Sequence, residues 1–354
     1  CNMNRSSEKK AFINDCITYA LVVIAFVIVQ LLVNGGAVSS LFKGLLVPLC
    51  TYAILAVSLN LVVGISGELS LGHAGFMCVG AFSSALFTNL MAGKLPGGLD
   101  FALAVLIGAS VAAFFGFLIG IPVLRLKGDY LAIVTLAFGE IVKNIINALY
   151  LGVDAKGIHV SLKDTAALKL ETGGKILIKG AQGITGTPRL SSFFAGIVLL
   201  LISLFVVQNL IRSRTGRAIM AIRDNEIAAE SVGLHVTRYK LLAFTISAAL
   251  AGVGGVLYAH NLSTLQALPK NFGYNMSIAI LVFVVMGGIG NMRGSVIAAV
   301  VLTALPELLR GLSDFRMLIY AVVLILMMLF TSAPAFIQYR ERIFSGIRKP
   351  GKQA

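Results

Sequence analysis

Long apolar runs, each near the length of a bilayer-crossing helix, constrain this chain more than any other feature. They lie at residues 13–33, 45–63, 69–91, 101–124, 130–149, 193–211, 241–258, 277–290, 295–309 and 318–335. An α-helix rises 1.5 Å per residue and a bilayer's hydrocarbon layer is about 30 Å thick, so about 20 apolar residues cross it. The runs are apolar all round rather than striped on one face, which excludes a soluble helical domain. Mean hydropathy is +0.92, and only 12% of residues are charged against 58% hydrophobic. The expected fold is an all-α polytopic membrane protein of about ten hydrophobic helices. One transmembrane domain covers 13–337, between an N-terminal tail (1–12) and a basic tail (338–354). Several runs are short or broken by glycine, as in helices interrupted around a transport pathway.

The net charge of +14 belongs to this membrane setting rather than to nucleic acid. Basic residues mark cytoplasmic loops and meet anionic headgroups of membrane lipid. If every run spans, one side collects Arg5, Lys9 and Lys10, the short loops with Arg125, Lys127, Arg212, Arg214, Arg217, Arg223, Arg238, Lys240 and Arg293, and the basic tail. The other side holds most of its lysines in one long loop, 150–190, diluted by Asp154, Asp164 and Glu171. Short loops govern orientation, so both termini and the loop 212–240 are expected in the cytoplasm and 150–190 outside.

Several chemistries find no support. A phosphate-binding GxxxxGK(S/T) loop is missing; its nearest approach, Gly346 to Gln353, ends in Gln and sits in the basic tail. HExxH, GxSxG and dense His/Asp/Glu clusters are missing too. Cys1, Cys16, Cys50 and Cys78 show no CxxC spacing and suit neither a metal site nor a disulfide frame. No catalytic, metal or cofactor site is expected, and nucleotide-driven work must come from another polypeptide.

Four polar features interrupt the apolar background. Residues 58–82, SLNLVVGISGELSLGHAGFMCVGAF, carry Asn60, Ser66, Glu68, Ser70 and His73 among five glycines. Gly64 and Gly67 allow a turn near membrane depth, which survives only where it is buried in protein or lines water. Residues 70–73 then open a new helix whose first amides suit an anion. The alternative is a plain cytoplasmic turn with glycines for close packing. Residues 285–295, VMGGIGNMRGS, faintly echo that stretch and raise the possibility of an internal repeat. Glu140, Lys143, Glu307 and His260 interrupt apolar runs; Glu140 and Lys143 share a helical face and can pair, or their heads can reach the interface. The fourth feature, 216–240, is the charged loop. Asp224 or Asn225 can cap a short helix over 226–232 that stops at Gly233, with Ala228 and Ala229 keeping it flat. Such a helix fits a groove on another protein.

Residues 59–76 (LNLVVGISGELSLGHAGF), 125–136 (RLKGDYLAIVTL), 216–240, 241–258 (LLAFTISAALAGVGGVLY) and 286–294 (MGGIGNMRG) together resemble the LivM-type permease subunit of ABC importers for branched-chain amino acids. The resemblance spans most of the chain. It implies a complex: this permease, a LivH-type sister permease, two cytoplasmic ABC ATPases carrying ATP and Mg, and an extracytoplasmic amino-acid-binding protein, all at a bacterial inner membrane. It implies that 226–233 docks on the ATPase, with Arg217, Arg223, Asp224, Asn225, Glu226, Ala228, Ala229 and Gly233 as the coupling set. Asn60, Gly64, Gly67, Ser70, Gly72, His73, Gly75, Gly287, Gly288, Gly290 and Gly294 are the expected pathway or hinge residues. Similar sequences often carry Gln where this chain has Glu68. The same machine carrying urea, amides or other small polar solutes is the alternative, and an ion-coupled carrier, which needs buried acids in mid-membrane, is a third reading.

Overall fold

The computed structural model describes residues 2–308 apart from 36–39, 92–96, 127, 155–156, 166–167 and 169–173, with isolated positions at 318, 321, 322 and 325. The expectations for the run 318–335 and the tail 338–354 otherwise fall outside the described residues.

Helices dominate. Helix α1 is Asn2–Asn34, α2 Ser40–Asn60, α3 His73–Leu90, α4 Gly97–Val123 and α5 Asp129–Ala148; α6 is Phe193–Arg212, α7 Arg214–Asp224, α8 Glu226–Ser231 and α9 Val236–Ala259; α10 is Pro269–Phe272, α11 Tyr274–Gly287 and α12 Met292–Leu308. Among the described residues six spans are long and apolar enough to cross a membrane: Phe42–Ser66, Gly98–Val123, Asp129–Ala148, Phe193–Arg212, Val236–Ala259 and Pro269–Gly287. That is fewer than the ten runs. The segment expected as an N-terminal tail continues helix α1, and the run at 277–290 begins earlier, at α10.

Two spans form the core. The Phe42–Ser66 span is 83% buried and Val236–Ala259 72%, against 22% for Gly98–Val123, so α2 and α9 are wrapped by helices whose outer faces keep the exposed apolar residues. The inner helices approach closely because small residues line the contacts. Gly80 of α3, Gly108 of α4 and Gly252 of α9 meet at one point, where a Cβ on Gly252 would lie 2.7 Å from the Gly108 carbonyl oxygen. Without a hydrophobic drive between helices in lipid, such backbone contact is a main source of association.

The segment 150–190 is not a plain polar loop. It holds a three-stranded antiparallel sheet in the order β2–β1–β3, with β1 Tyr150–Asp154, β2 Gly157–Ser161 and β3 Lys175–Lys179. Strand β4, Ile184–Thr185, pairs with β5, Thr264–Leu265. The chain enters α6 from this sheet end and reaches α7 at the other; α9 runs back from α8 to β5. Sheet and charged segment therefore sit at opposite ends of the same two helices.

Candidate functional site

The site forms where α2 stops being an α-helix. Leu61–Ser66 is a π-turn, fully buried, closed by Gly67 at φ 77°. A strap with neither helix nor strand follows until Gly72, the N-cap of α3. Irregular backbone packed inside a protein needs bracing, and polar contacts from neighbouring elements hold the helix ends on both sides of it. Asn60 Nδ2 donates to Ser295 Oγ of α12 (2.8 Å), and Asn60 Oδ1 accepts from the Gly290 amide (2.8 Å). Leu71 N–H donates to Thr135 Oγ1 of α5 (3.0 Å), and Ala74 N–H to Ser277 Oγ of α11 (3.1 Å). His73 Nε2 lies 2.6 Å from Ser58 Oγ, and Ser247 of α9 donates to the Ser58 carbonyl.

The two glycine-rich segments are thereby one structure. Gly64 packs on the turn at Gly290, where a Cβ on Gly64 would lie 2.7 Å from the Gly290 Cα. Gly288 (φ 92°) and Gly290 (φ 81°) build the tight turn between α11 and α12, and Gly287 faces Gly294 across it. Gly75 meets Gly139 of α5, and Gly72 meets Thr135. The pathway or hinge set is thus brought together: Asn60, Gly64, Ser70, Gly72, His73 and Gly75 are buried, Gly67 is exposed, and Gly287, Gly288, Gly290 and Gly294 are half-buried. The Ala74 amide donates to Ser277 and the Gly75 amide to the Gly72 carbonyl (2.9 Å). The start of α3 therefore spends these donors within the protein rather than on an anion.

The charged segment folds onto this break. Ser213 ends α6 and caps α7, its hydroxyl accepting from Gly216 N (3.0 Å). Helix α7, absent from the sequence reading, buries Ile219 and Ile222, three residues apart on one face, and packs against the π-turn. Asn225 caps α8 by accepting from Ala228 N (3.0 Å). Gly233, at φ 87°, ends it, and the Leu234 amide closes on the Ala229 carbonyl (3.1 Å). The short helix expected at 226–232 is therefore present, and it stops at Ser231. Ala229 faces inward, Ala228 is exposed, and Ile227 and Val232 are 82% and 78% exposed. Much of the expected loop 212–240 is helical, and α9 already begins at Val236.

Two cations join this segment to the break. Arg223 Nη1 donates to the Gly64 carbonyl (2.9 Å), while its Nε and Nη2 hold Asp224 Oδ1 (3.0 and 2.8 Å). Its stem crosses Gly67, where a Cβ would lie 2.6 Å from Arg223 Cγ. Lys240 Nζ lies 2.6 Å from Glu68 Oε1 and 3.2 Å from Glu226 Oε2. Arg217 reaches the Arg212 carbonyl (3.2 Å) and takes no part in the junction. Thr135, Ser277, Ser295 and Lys240 were not among the expected site residues. For the first three, serine or threonine inside an apolar run was the available signal; for Lys240 it was a charge in the stretch 216–240.

Farther along the bundle, Glu140 pairs with Lys143 and also accepts the Tyr274 amide at the start of α11 (2.8 Å). The pairing alternative holds, with the carboxylate serving as a helix cap.

Residues 41–332 match the protein family described as "Branched-chain amino acid transport system / permease component". The chain belongs to this family. It is 39% identical over 287 residues to the high-affinity branched-chain amino acid transport system permease protein LivM of Salmonella typhimurium, and 38% identical to LivM of Escherichia coli. Each match covers 78% of this permease and 66% of the relative, so the matched part is just under two thirds of those relatives' length. A nucleoside ABC transporter permease, NupC of Lactococcus lactis, is 26% identical over 250 residues, covering 65% of this chain and 71% of that one. No solved structure matches the permease.

Proposed function

We propose that this permease is a membrane-spanning subunit of an ABC importer that moves branched-chain amino acids, or close relatives of them, inward. ATP and Mg are bound and used by two partner ATPases; this chain contributes the moving framework. A sister permease of LivH type completes the pathway, and an extracytoplasmic binding protein delivers the solute. The setting is a bacterial cytoplasmic membrane, with both termini and α7–α8 on the cytoplasmic side and the sheet outside.

The observation that carries this reading is α8. A six-residue helix is too short to persist on local bonds alone, yet it is capped at both ends, and Ile227 within it and Val232 at its C-cap are exposed. Apolar residues on a short helix beyond the membrane suit a groove on a soluble partner. The names of the LivM relatives support the solute class. An ion-coupled carrier finds less support, because Glu140 is already committed to Lys143 and the Tyr274 amide.

The test is co-expression with the ATPase and sister permease, followed by purification and leucine uptake in proteoliposomes with the binding protein. Ile227→Asp places a charge on the docking face and is expected to release the ATPase subunits and abolish ATP-dependent uptake. A variant that keeps its ATPases and transports normally would defeat the proposal. The nucleoside permease among the relatives favours one second reading, a different small polar solute on the same framework. It predicts that uridine, not leucine, is retained by the partner binding protein.

A further inference from the structure

One ammonium group joins the two halves of the site. Lys240 Nζ sits between Glu68 of the strap and Glu226, the first residue of α8, at 2.6 and 3.2 Å. Its side chain is 11% exposed and that of Glu68 13%, so solvent screens this pair much less than a surface pair. Glu68 lies four residues beyond Gly64, whose carbonyl is held by Arg223 and whose Cα side packs on Gly290. The path from α8 to the contact between the two glycine segments therefore runs through a few short polar links: Glu226 to Lys240, Lys240 to Glu68, then along the strap to Gly64 and Gly290.

We propose that Lys240 is a positioning residue for energy coupling, locking α8 to the strap so that a displacement of α8 reaches the Gly64–Gly290 contact. The proposal rests on the reading of α8 as the ATPase-docking helix. Its physical basis is the charge arrangement. Two carboxylates share one cation, and removing the cation takes that shared partner from both Glu68 and Glu226. The strap and α8 then part instead of moving together. Ile219 and Ile222 still give α7 a buried apolar face when Lys240 is replaced. Arg223 provides a second tether at Gly64, but its carboxylate partner is its neighbour Asp224, within its own segment. Lys240 meets a carboxylate on both the strap and α8.

The experiment uses the assembled transporter in proteoliposomes and reads three quantities from each preparation: ATPase subunits retained, ATP hydrolysed, and leucine taken up per ATP. Lys240→Met is expected to retain the ATPases and hydrolyse ATP, while uptake per ATP falls about tenfold or more, within the range of couplings between distant sites. Lys240→Arg, which keeps the charge and can reach both carboxylates, restores the ratio. Glu68→Gln lowers it too, and the double variant Glu68→Gln/Lys240→Met is no worse than Lys240→Met alone, since both break the same link. Should Lys240→Met fail to fold and reach the membrane, Glu68→Gln carries the test. Unchanged uptake per ATP in Lys240→Met or Glu68→Gln, a loss that Lys240→Arg fails to rescue, or loss of the ATPases from Lys240→Met overturns the proposal. Retention of ATPases by Ile227→Asp strikes the docking reading instead, so the two failures are separable.

Discussion

Asn60 holds the two glycine segments together with a single carboxamide. Its nitrogen donates to Ser295 and its oxygen accepts from Gly290, and the whole residue is buried. Asn60→Ala leaves the Gly290 amide and the Ser295 hydroxyl without those partners. A buried polar group deprived of its partner costs about 1–3 kcal/mol, so the detergent-solubilised variant is expected to unfold at a clearly lower temperature. Ser295→Ala, which frees only the Asn60 amino group, should cost less. Gly64 makes the complementary steric case. A methyl there would lie 2.7 Å from the Gly290 Cα, and backbone cannot yield as a flexible side chain can. Gly64→Ala is expected to lose about 1–3 kcal/mol by overpacking. Gly44, in α2 before the π-turn, has nothing within 4 Å of its absent Cβ, and Gly44→Ala should gain up to about 1 kcal/mol of helix propensity. A thermal-shift series separates the two directions. Glu68 shows how far a single position can mislead. It was not among the expected site residues, yet its charge is what Lys240 meets.

Among the elements, α11 depends on a side chain from another helix. Gly273 precedes it with no side chain to cap its amides, and Glu140 of α5 accepts the Tyr274 N–H while pairing with Lys143. Glu140→Ala removes the cap and strands Lys143, whose side chain is 7% exposed. A buried charge left alone costs about 3 kcal/mol or more, so this variant should be the least stable of the pair. Lys143→Met leaves a partly exposed carboxylate that can still cap, and Glu140→Ala/Lys143→Met should recover part of the loss. The unfolding midpoints of the three give the order. Elements such as α4, α5, α6 and α9 were legible in the sequence because all-round apolar runs of that length have few other uses. Helix α7 was hidden by its arginines, although Ile219 and Ile222 carry a helical spacing. The strands in 150–190 are five residues or fewer and flanked by lysine and glycine, too brief for alternation to show. The π-turn was beyond local reading, since it is held by Asn60 contacts to residues 230 and 235 positions away. The glycines and Asn60 of the site stood out against an apolar background. Thr135, Ser277 and Ser295 did not, because a hydroxyl residue in a transmembrane run usually bonds its own helix carbonyls, as Thr51 and Ser84 do here.

At the scale of the whole molecule, α6 and α9 tie a sheet at one end to the α7–α8 pair at the other, and both glycine segments lie at the α7–α8 end. This polarity is what an importer needs. Under the proposed function, solute arrives at the sheet face, while the segment that must move first sits against the ATPases. Closing and opening by hinges at element ends is a known repertoire for conformational switching, and the strap between α2 and α3 has the required ends: a π-turn before it, a new helix after it, and Arg223 on the turn and Lys240 on the strap gripping it from the α7–α8 end. The polarity itself is open to direct measurement. Val160 in β2 is 61% exposed and Val232 beyond α8 is 78% exposed. In a background with Cys1 and Cys16 replaced, and with Cys50 and Cys78 buried and silent, Val160→Cys should react with a membrane-impermeant maleimide in intact spheroplasts. Val232→Cys should react only after permeabilisation, and bound ATPase should slow it further. Labelling of both from one side would break the link between the charge rule and the fold. Labelling from opposite sides, with protection of Val232 by the ATPase, would put the docking helix and the glycine strap on the same face, where work delivered to one can reach the other.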